Sequence, residues 1–192
     1  QLKEINPRIA LAMEFIALTG LRCGELLALR VQDYNKLNSV VNINGTLLKS
    51  ARNGEDIQRG TPKNIYSYRD VIINDRAKNI LDAIILENKR LASWNGKKYK
   101  DRGYIFTNST GNPFNIQYIN KKLRQIKIAD KKISSHIFRH THISMLSELG
   151  LSLKSIMQRV GHNDPKTTLS IYTHVTDNMN NEMKNKLKAL NF

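Results

Sequence analysis

Apolar residues recur at helical spacing near the start of the chain. The apolar face of a helix predicted over residues 7–18 carries Leu11, Phe15 and Leu18. Pro7 suits the first turn of this helix, because the amide hydrogen that proline lacks would have no helical partner there. Gly20 breaks the pattern, and the apolar run that follows predicts a second helix that begins near Arg22.

The pattern changes between residues 39 and 74, where β-branched residues alternate with turn-forming ones. Residues 40–45 and 65–73 are the two β-rich runs, and Pro62 stands shortly before the second run. Short β-rich runs bounded by glycine and proline are typical of hairpins. This stretch therefore predicts a small antiparallel sheet.

Helical spacing returns from Arg76 onward. The apolar stripe of this helix consists of Ala77, Ile80, Leu81, Ile84, Ile85 and Leu91. Residues 94–115 predict a loop, because Asn-Gly and Gly-Asn-Pro sequences within them are turn signals. Further helices are predicted at about residues 115–126, 136–149, 152–160 and 165–174. The chain is thus predicted to form one mainly α domain with a small antiparallel β-sheet, in the α+β class.

The strongly basic composition narrows the range of partners. The 192 residues include 31 Lys+Arg and 16 Asp+Glu, which gives a formal net charge of +15 and a pI of about 10.0. A solvated surface needs no such imbalance, so we expect a polyanion, with nucleic acid preferred over an acidic membrane surface or protein. No apolar run approaches the roughly eighteen residues of a spanning helix, and residues 1–20 do not resemble a signal peptide.

Cys23 is the single cysteine of the chain, so an internal disulfide is excluded. A lone cysteine fits a reducing compartment. The residue could be a small buried side chain at a helix or a catalytic thiol, and the buried side chain is the favoured interpretation.

Histidine and arginine residues form a set that suits phosphodiester chemistry. His136 and Arg139 stand three residues apart, so on a helix they share a face and can reach one phosphate. The acidic residues are scattered and the histidines lack metal-ligand spacing, so fixed cations would have to stabilise the phosphate charge. Arg22 and Arg139 are the candidates, because the arginine fork binds two oxygens at once. Glu25 can brace the guanidinium of Arg22.

Each of these residues also has a purely structural interpretation. A lone helical arginine is usually a surface residue, and Tyr172 could be a half-buried core tyrosine. His162 could simply cap a helix, and Lys63 could be one of several basic surface groups in its segment. Packing or supporting roles are expected for His140, His142 and His174. The order of the whole set favours a functional interpretation for Arg22, Arg139, His162 and Tyr172.

Five short motifs follow one another along the chain. They are Thr19-Gly-Leu-Arg22-Cys-Gly-Glu25-Leu, Thr61-Pro-Lys63 ahead of Ser67-Tyr-Arg69, His136-Ile-Phe-Arg139-His-Thr-His, Gly161-His162 and Ile171-Tyr172-Thr-His174. In these motifs and their order, the chain resembles over essentially its whole length the catalytic domain of the tyrosine recombinases, and it is most similar to integrases of phages and conjugative transposons from Gram-positive bacteria. The resemblance implies a catalytic domain over residues 1–175 and a DNA-binding region that would precede Gln1.

The resemblance also implies a role for each residue of the set. Tyr172 would attack the scissile phosphate to give a 3′-phosphotyrosyl link and a free 5′-hydroxyl. His136 occupies the position of the base, and Lys63, on a β-hairpin, would protonate the leaving oxygen. The phosphate would be held by Arg22, Arg139 and His162, with Glu25 in support. No metal, ATP or other cofactor would be needed, because the phosphotyrosine keeps the bond energy.

The resemblance implies a site-specific DNA recombinase or integrase of a mobile element. Double-stranded DNA would be the substrate, a homotetramer would assemble on it, and a directionality factor is a further candidate partner. The bacterial cytoplasm, at the nucleoid, is the expected location. Two alternatives stay open at this point: DNA relaxation of the type IB topoisomerase kind, and a DNA-binding regulator that keeps the fold without catalysis.

The last residues predict a separate tail helix over residues 176–192. Thr176 is a suitable N-cap, and Asp177 favours a helix start. The narrow apolar stripe of this tail consists of Met179, Met183, Leu187 and Leu190. Such a stripe must be buried somewhere, either on its own domain or, as the resemblance favours, on a neighbouring subunit.

Overall fold

The computed structural model describes residues 1–49, 57–61, 67–126, 128 and 133–189. The helices are α1 (Leu2–Ile5), α2 (Pro7–Thr19), α3 (Cys23–Ala28), α4 (Asp75–Asn95), α5 (Ile116–Leu123), α6 (Ser135–Glu148), α7 (Leu153–Val160) and α8 (Pro165–Ala189). The strands are β1 (Tyr34–Asn35), β2 (Val40–Ile43), β3 (Thr46–Lys49), β4 (Gln58–Gly60) and β5 (Arg69–Ile72). Short 3₁₀ turns occupy Val31–Asp33 and Gly96–Lys98. The predicted mainly helical α+β class is confirmed.

The strands form two small antiparallel sheets in the described part of the chain, where one had been predicted. The first has the order β1-β2-β5, with Val41 paired to Val71, and the second pairs β3 with β4. The β3-β4 pair lies close to α3. A Cβ atom on Gly24 would stand 2.6 Å from the Thr46 hydroxyl oxygen, so glycine permits this close approach.

Helix α2 is the centre of the main core. Its residues Met13, Phe15 and Ile16 are fully buried, and the Phe15 and Phe106 rings lie 5.4 Å apart. Two ion pairs, Arg8 near the start of α2 with Glu87 and Glu14 near its middle with Arg76, join it to α4. Because these partners run in opposite order along the two helices, α2 and α4 are antiparallel.

Helix α2 begins and ends where Pro7 and Gly20 predicted. The side chain of Asn6 accepts a hydrogen bond from the Ile9 amide ahead of Pro7, and Gly20 ends the helix in the left-handed region at φ 71°. A Cβ atom at Gly20 would also stand 2.5 Å from the His142 ring. Both the turn and the close contact with α6 therefore require glycine here.

A second, smaller core joins the last three helices. Ile143 of α6 and Ile156 and Val160 of α7 are fully buried, and Ile171 and Tyr172 of α8 pack against them. This cluster places the end of α7 and the first half of α8 beside α6. None of the described helices is both long and apolar enough to span a membrane.

Two predicted boundaries are wrong. Helix α4 continues to Asn95, past the start of the predicted loop at residue 94, and Gly96 follows it. The predicted start of a separate tail helix at Thr176 is also wrong, because α8 runs without a break from Pro165 to Ala189. The Thr176 hydroxyl donates to the Tyr172 carbonyl at 3.0 Å, a contact that a threonine makes inside a helix. Leu190, the last residue of the predicted stripe, lies outside the described residues.

Candidate active site

Arg22 lies at the start of α3, and Glu25 holds it there. One oxygen of Glu25 accepts a hydrogen bond from the Arg22 amide at 2.9 Å, and the other accepts one from Nη1 at 2.7 Å. Glutamate is favoured at this position, because it satisfies a free amide at the helix N-terminus. The predicted contact between Glu25 and Arg22 is confirmed. The remaining Nη2 donates to the Gly161 carbonyl at 2.8 Å, across 139 residues of sequence.

Arg139 is the most deeply buried cation of the site. It lies on α6 with an exposed fraction of 3% and donates to the carbonyls of Gly20 at 2.5 Å and Val160 at 2.7 Å. Burial, together with the charge of Arg22, lowers the pKa of Arg139 to about 9. Arg22 and Arg139 therefore bind the adjacent carbonyls of residues 161 and 160, which brings the two guanidinium groups together at the end of α7.

Arg69 is a buried cation that was not among the predicted site residues. It lies on β5 and bonds Glu25 with both Nη atoms, at 2.9 and 3.3 Å. Its Nε donates to the Arg159 carbonyl at 2.7 Å. Burial by itself raises the pKa of Glu25, but the hydrogen bond and charge of Arg69, with those of Arg22, hold that pKa below its usual range. Glu25 thus bridges two arginines from different parts of the chain.

His162 follows the end of α7 and faces the same cations. Gly161 has φ 70°, and the His162 amide donates to the Met157 carbonyl, which fixes the backbone at this turn. The Nδ1 atom of His162 lies 2.5 Å from the hydroxyl oxygen of Thr168, which is fully buried on α8. Burial, followed by the charge of Arg139, lowers the pKa of His162 to about 4. The imidazole is therefore neutral at pH 7.

Tyr172 lies on α8, partly buried against the smaller core. The cluster against which it packs includes Val160, whose carbonyl binds Arg139. Packing on this cluster places Tyr172 on the helix next to the carbonyls that orient the two arginines. It also stands one helical turn after Thr168, on the same face of α8.

His136 and Lys63, the two remaining predicted site residues, have no described contact that joins them to the arginines, His162 or Tyr172. His136 is exposed in the first turn of α6, one turn before Arg139. Lys63 falls in residues 62–66, outside the described part of the chain, so its predicted place on a hairpin stays a prediction. The described ends of that connection are Thr61, after β4, and Ser67, whose carbonyl accepts a hydrogen bond from Arg69.

Positive charge exceeds negative charge at the site. The guanidinium groups of Arg22 and Arg69 bind the carboxylate of Glu25, and the buried guanidinium of Arg139 lies near all three of these groups. A cavity of about 590 Å³ opens beside them and is lined in part by Arg69, Gly161 and His162. The described residues contain no cluster of acidic, histidine or cysteine side chains able to hold a metal ion. The arrangement is therefore suited to an anion.

A larger cavity of about 710 Å³ lies at the opposite end of α2, near Arg8 and Tyr118. It contains none of the predicted site residues. The charge and the convergent side chains favour the smaller cavity as the functional one.

His142 and Arg159 form a buried link behind the site. The Nε of Arg159 donates to Nε2 of His142 at 2.9 Å, so the His142 hydrogen is on Nδ1, which faces the Ala17 carbonyl at 2.9 Å. The link ties α7 and α6 to the end of α2. His142 thus makes buried packing contacts, in keeping with the packing or supporting role expected for it. Arg159 stands alone between the motifs, and no pattern in the sequence pointed to it.

We expect acid to destabilise the domain through His142. Burial, together with the charge of Arg159, lowers the pKa of His142 to about 4 from an ordinary value of 6.5. The unfolded chain therefore binds this proton more tightly, so stability present above pH 6.5 is lost as the pH falls towards 4. The loss amounts to about 3 kcal/mol. Urea unfolding at a series of pH values measures it.

The variant His142→Gln keeps an acceptor for Arg159 but does not titrate, so it should show a smaller loss between pH 6.5 and 4. Some loss should remain, because His162 titrates in the same window. His136→Gln, at an exposed position on the same helix, is the matched control and should behave as the wild type. An equal loss in His142→Gln and the wild type would contradict the assignment.

Known proteins resemble this chain over nearly its whole length. An integrase of Staphylococcus phage L54a is 46% identical over 185 residues, which cover 95% of this chain and 52% of the relative. The ICEBs1 integrase of Bacillus subtilis strain 168 is 31% identical over 175 residues, which cover 90% of this chain and 46% of the relative. The chain therefore spans about half the length of these relatives.

Solved structures share the fold. The Tn1549 transposon integrase in complex with circular intermediate DNA matches 91% of this chain and 58% of its own, with a TM-score of 0.67 and 24% identity. The XerA recombinase matches 96% of this chain and 58% of its own, with a TM-score of 0.68 and 22% identity. The model of the phage integrase family matches residues 2–179. The order of the motifs, the arginine-rich site and this match agree, and the chain belongs to the phage integrase family.

Proposed function

We propose that this chain is the catalytic part of a site-specific DNA recombinase, an integrase of a mobile element, within a longer protein that also carries a DNA-binding region. The observation that carries the proposal is the excess of buried guanidinium groups over carboxylates around Arg22 and Arg139. Unpaired buried charge is costly, so such a site is stabilised by a bound anion. The scissile phosphate of DNA is an anion of the right shape for two arginine forks.

The site residues are suited to stabilising a phosphodiester during cleavage. A guanidinium carries five N–H donors, and the two carbonyl contacts of Arg139 leave further donors for phosphate oxygens. Arg22 remains 34% exposed, so we propose that the phosphate approaches from its side. The carbonyl contacts and Glu25 orient both forks before DNA binds, and this preorganisation is the main source of electrostatic catalysis.

Tyr172 is the proposed nucleophile, and its reaction conserves the bond energy. Its oxygen would attack phosphorus, form the 3′-phosphotyrosyl bond and break the bond to the 5′-oxygen, which leaves as a hydroxyl after protonation by Lys63. His136 would accept the tyrosine proton. Ionising a free tyrosine at pH 7 costs about 4 kcal/mol, so a nearby base and the field of the arginines are needed. Reversal with another strand completes the exchange without ATP or a metal.

Double-stranded DNA is the proposed substrate, for which the net charge of +15 supplies the attraction. Related proteins are consistent with this, since the Tn1549 integrase was solved with transposon and circular intermediate DNA. A directionality factor is a further proposed partner. The bacterial cytoplasm, at the nucleoid, is the proposed location.

A nicked suicide substrate tests the proposal. Cleavage near the nick releases a short oligonucleotide, so religation fails and a covalent protein–DNA adduct accumulates. Exchange between two differently labelled duplexes then separates a recombinase from a type IB topoisomerase, which rejoins the original strands. A non-catalytic regulator would form no adduct at all, and that result would contradict the proposed function.

The second half of α8 supports a further proposal about assembly. Most of residues 177–189 are exposed, including Met179 at 42%, Met183 at 53% and Leu187 at 58%. Three neighbouring apolar side chains on an exposed helix indicate an interface. We propose that residues 176–192 dock on a neighbouring subunit in a DNA-bound tetramer, so that α8 couples assembly to the position of Tyr172.

Deleting residues 178–192 should therefore impair cooperative assembly on DNA and alter cleavage, while the domain stays folded. The smaller core uses Ile171 and Tyr172 of α8, and the deletion keeps both of these residues and the buried Val175. Electrophoretic mobility shifts on attachment-site DNA measure assembly, and thermal unfolding measures stability.

The triple variant Met179→Gln, Met183→Gln, Leu187→Gln should reproduce the assembly defect of the deletion. Its control changes Asn181 and Asn185 to glutamine on the opposite face. Normal assembly by the truncated protein, or its unfolding, would exclude docking in trans.

A further inference from the structure

His162 can donate a hydrogen bond to a phosphate in only one of its two neutral forms. A neutral imidazole carries a single hydrogen, on Nδ1 or on Nε2. Phosphate oxygens accept hydrogen bonds and do not donate them, so the ring must present its hydrogen to them. Nδ1 is already occupied by the Thr168 hydroxyl at 2.5 Å. The nitrogen left for the phosphate is Nε2, and it is useful only when it carries the hydrogen.

The Thr168 hydroxyl is well placed to select that form. Thr168 is fully buried in the first turns of α8, whereas the adjacent Thr167 is exposed. A hydroxyl can donate or accept, so its contact with Nδ1 is compatible with either form of the ring. If the hydroxyl donates, Nδ1 is the acceptor and the hydrogen must be on Nε2. A buried hydroxyl thus controls which side of the imidazole is the donor.

A bound phosphate favours the same form. Burial, together with the charges of Arg139 and Arg22, lowers the pKa of His162 to about 4, so the ring is neutral at pH 7. A hydrogen on Nε2 directs the positive end of the ring dipole towards the phosphate anion. Without a bound hydroxyl at Nδ1 the two forms would compete, and a fraction of the protein would present a lone pair to the phosphate.

We propose that Thr168 is a positioning residue that donates its hydroxyl hydrogen to Nδ1 of His162 and thereby places the imidazole hydrogen on Nε2, towards the phosphate. The use of that hydrogen rests on the proposed function, whereas the hydrogen bond itself does not. Thr168 also stands one helical turn before Tyr172 on α8. The same helix therefore orients a phosphate donor and carries the nucleophile, so a shift of α8 moves both.

Nitrogen-15 NMR of the His162 imidazole tests the proposal directly, because protonated and unprotonated ring nitrogens have well-separated shifts. At pH 7 the wild type should carry its hydrogen on Nε2. Thr168→Val removes the hydroxyl at nearly constant volume and should populate the Nδ1–H form. Cleavage of a suicide substrate should then slow about tenfold, as the loss of one hydrogen bond implies, with DNA affinity little changed. Thr168→Ser should restore both readouts, and Thr167→Val is the matched control.

The outcomes distinguish this proposal from the proposed function. A hydrogen on Nδ1 in the wild type overturns it, because the hydroxyl would then be the acceptor. A Thr168→Val protein that is less stable but keeps the wild-type ring form also overturns it, since the threonine would only be packing. If the ring form changes as expected but His162→Gln cleaves DNA normally, Thr168 does select the form, and it is the phosphate role of His162 that fails.

Discussion

Tyr172→Phe is expected to bind DNA as the wild type does and to form no covalent adduct. The substitution removes only the hydroxyl, and the ring remains packed against the smaller core of Ile143, Ile156 and Val160. Folding and phosphate binding should therefore be preserved, whereas the oxygen proposed to attack phosphorus is lost. Denaturing gel electrophoresis with a labelled suicide substrate measures the adduct, and a mobility shift measures binding.

Tyr118→Phe is the matched control for this variant. Tyr118 is 43% exposed on α5, where its ring stacks on Phe114 at 6.5 Å, away from the arginine cluster. This control should form the adduct at the wild-type rate. An adduct that persists in Tyr172→Phe and disappears in Tyr118→Phe would move the nucleophile to the other tyrosine.

Lys63→Ala is expected to slow cleavage of normal DNA by about 10²- to 10⁴-fold, the range for loss of a general acid. A substrate with a 5′-bridging sulfur at the scissile position should recover much of the rate, because a thiolate leaves without a proton. The comparison of the two substrates isolates protonation of the leaving group from phosphate binding. Single-turnover cleavage measures both rates.

Arg52→Ala is the control for Lys63, since it removes a basic side chain from the same stretch of sequence. Arg52→Ala should slow cleavage of normal DNA only slightly. Relative to the wild type, the slowing should be the same with the sulfur substrate. If sulfur fails to rescue Lys63→Ala, the lysine contacts the phosphate and another group is the general acid. The neighbouring Arg59 is a poorer control, because it bonds the Ala28 carbonyl and its loss would disturb α3.

Local signals predicted the helices well where a strong start or stop residue was present. Helix α2 begins at Pro7 and ends before Gly20, as the sequence indicated. Helix α7 ends at Val160, the last residue of the predicted helix 152–160. The prediction failed at Thr176, where a possible N-cap stands inside a run without proline or glycine. An N-cap signal does not end the preceding helix, so α8 continues through it and the hydroxyl bonds the preceding turn.

The order of the motifs and the spacing within them are properties of the sequence alone. They were sufficient to identify Arg22, Arg139, His162 and Tyr172 as a candidate set, and to pair Glu25 with Arg22 three residues away. Contacts of this kind lie within one helical turn, so the local geometry of the chain determines them.

Only the tertiary structure decided how the set is assembled. Arg22 meets the Gly161 carbonyl across 139 residues, Arg139 meets Gly20 across 119, and Arg69 meets Glu25 across 44. No local pattern encodes such contacts, because they depend on how α3, β5, α6 and α7 pack around the buried apolar residues. The sequence thus determined which chemical groups are present, and packing decided that the guanidinium groups of Arg22, Arg69 and Arg139 gather around the single carboxylate of Glu25, an arrangement suited to an anion.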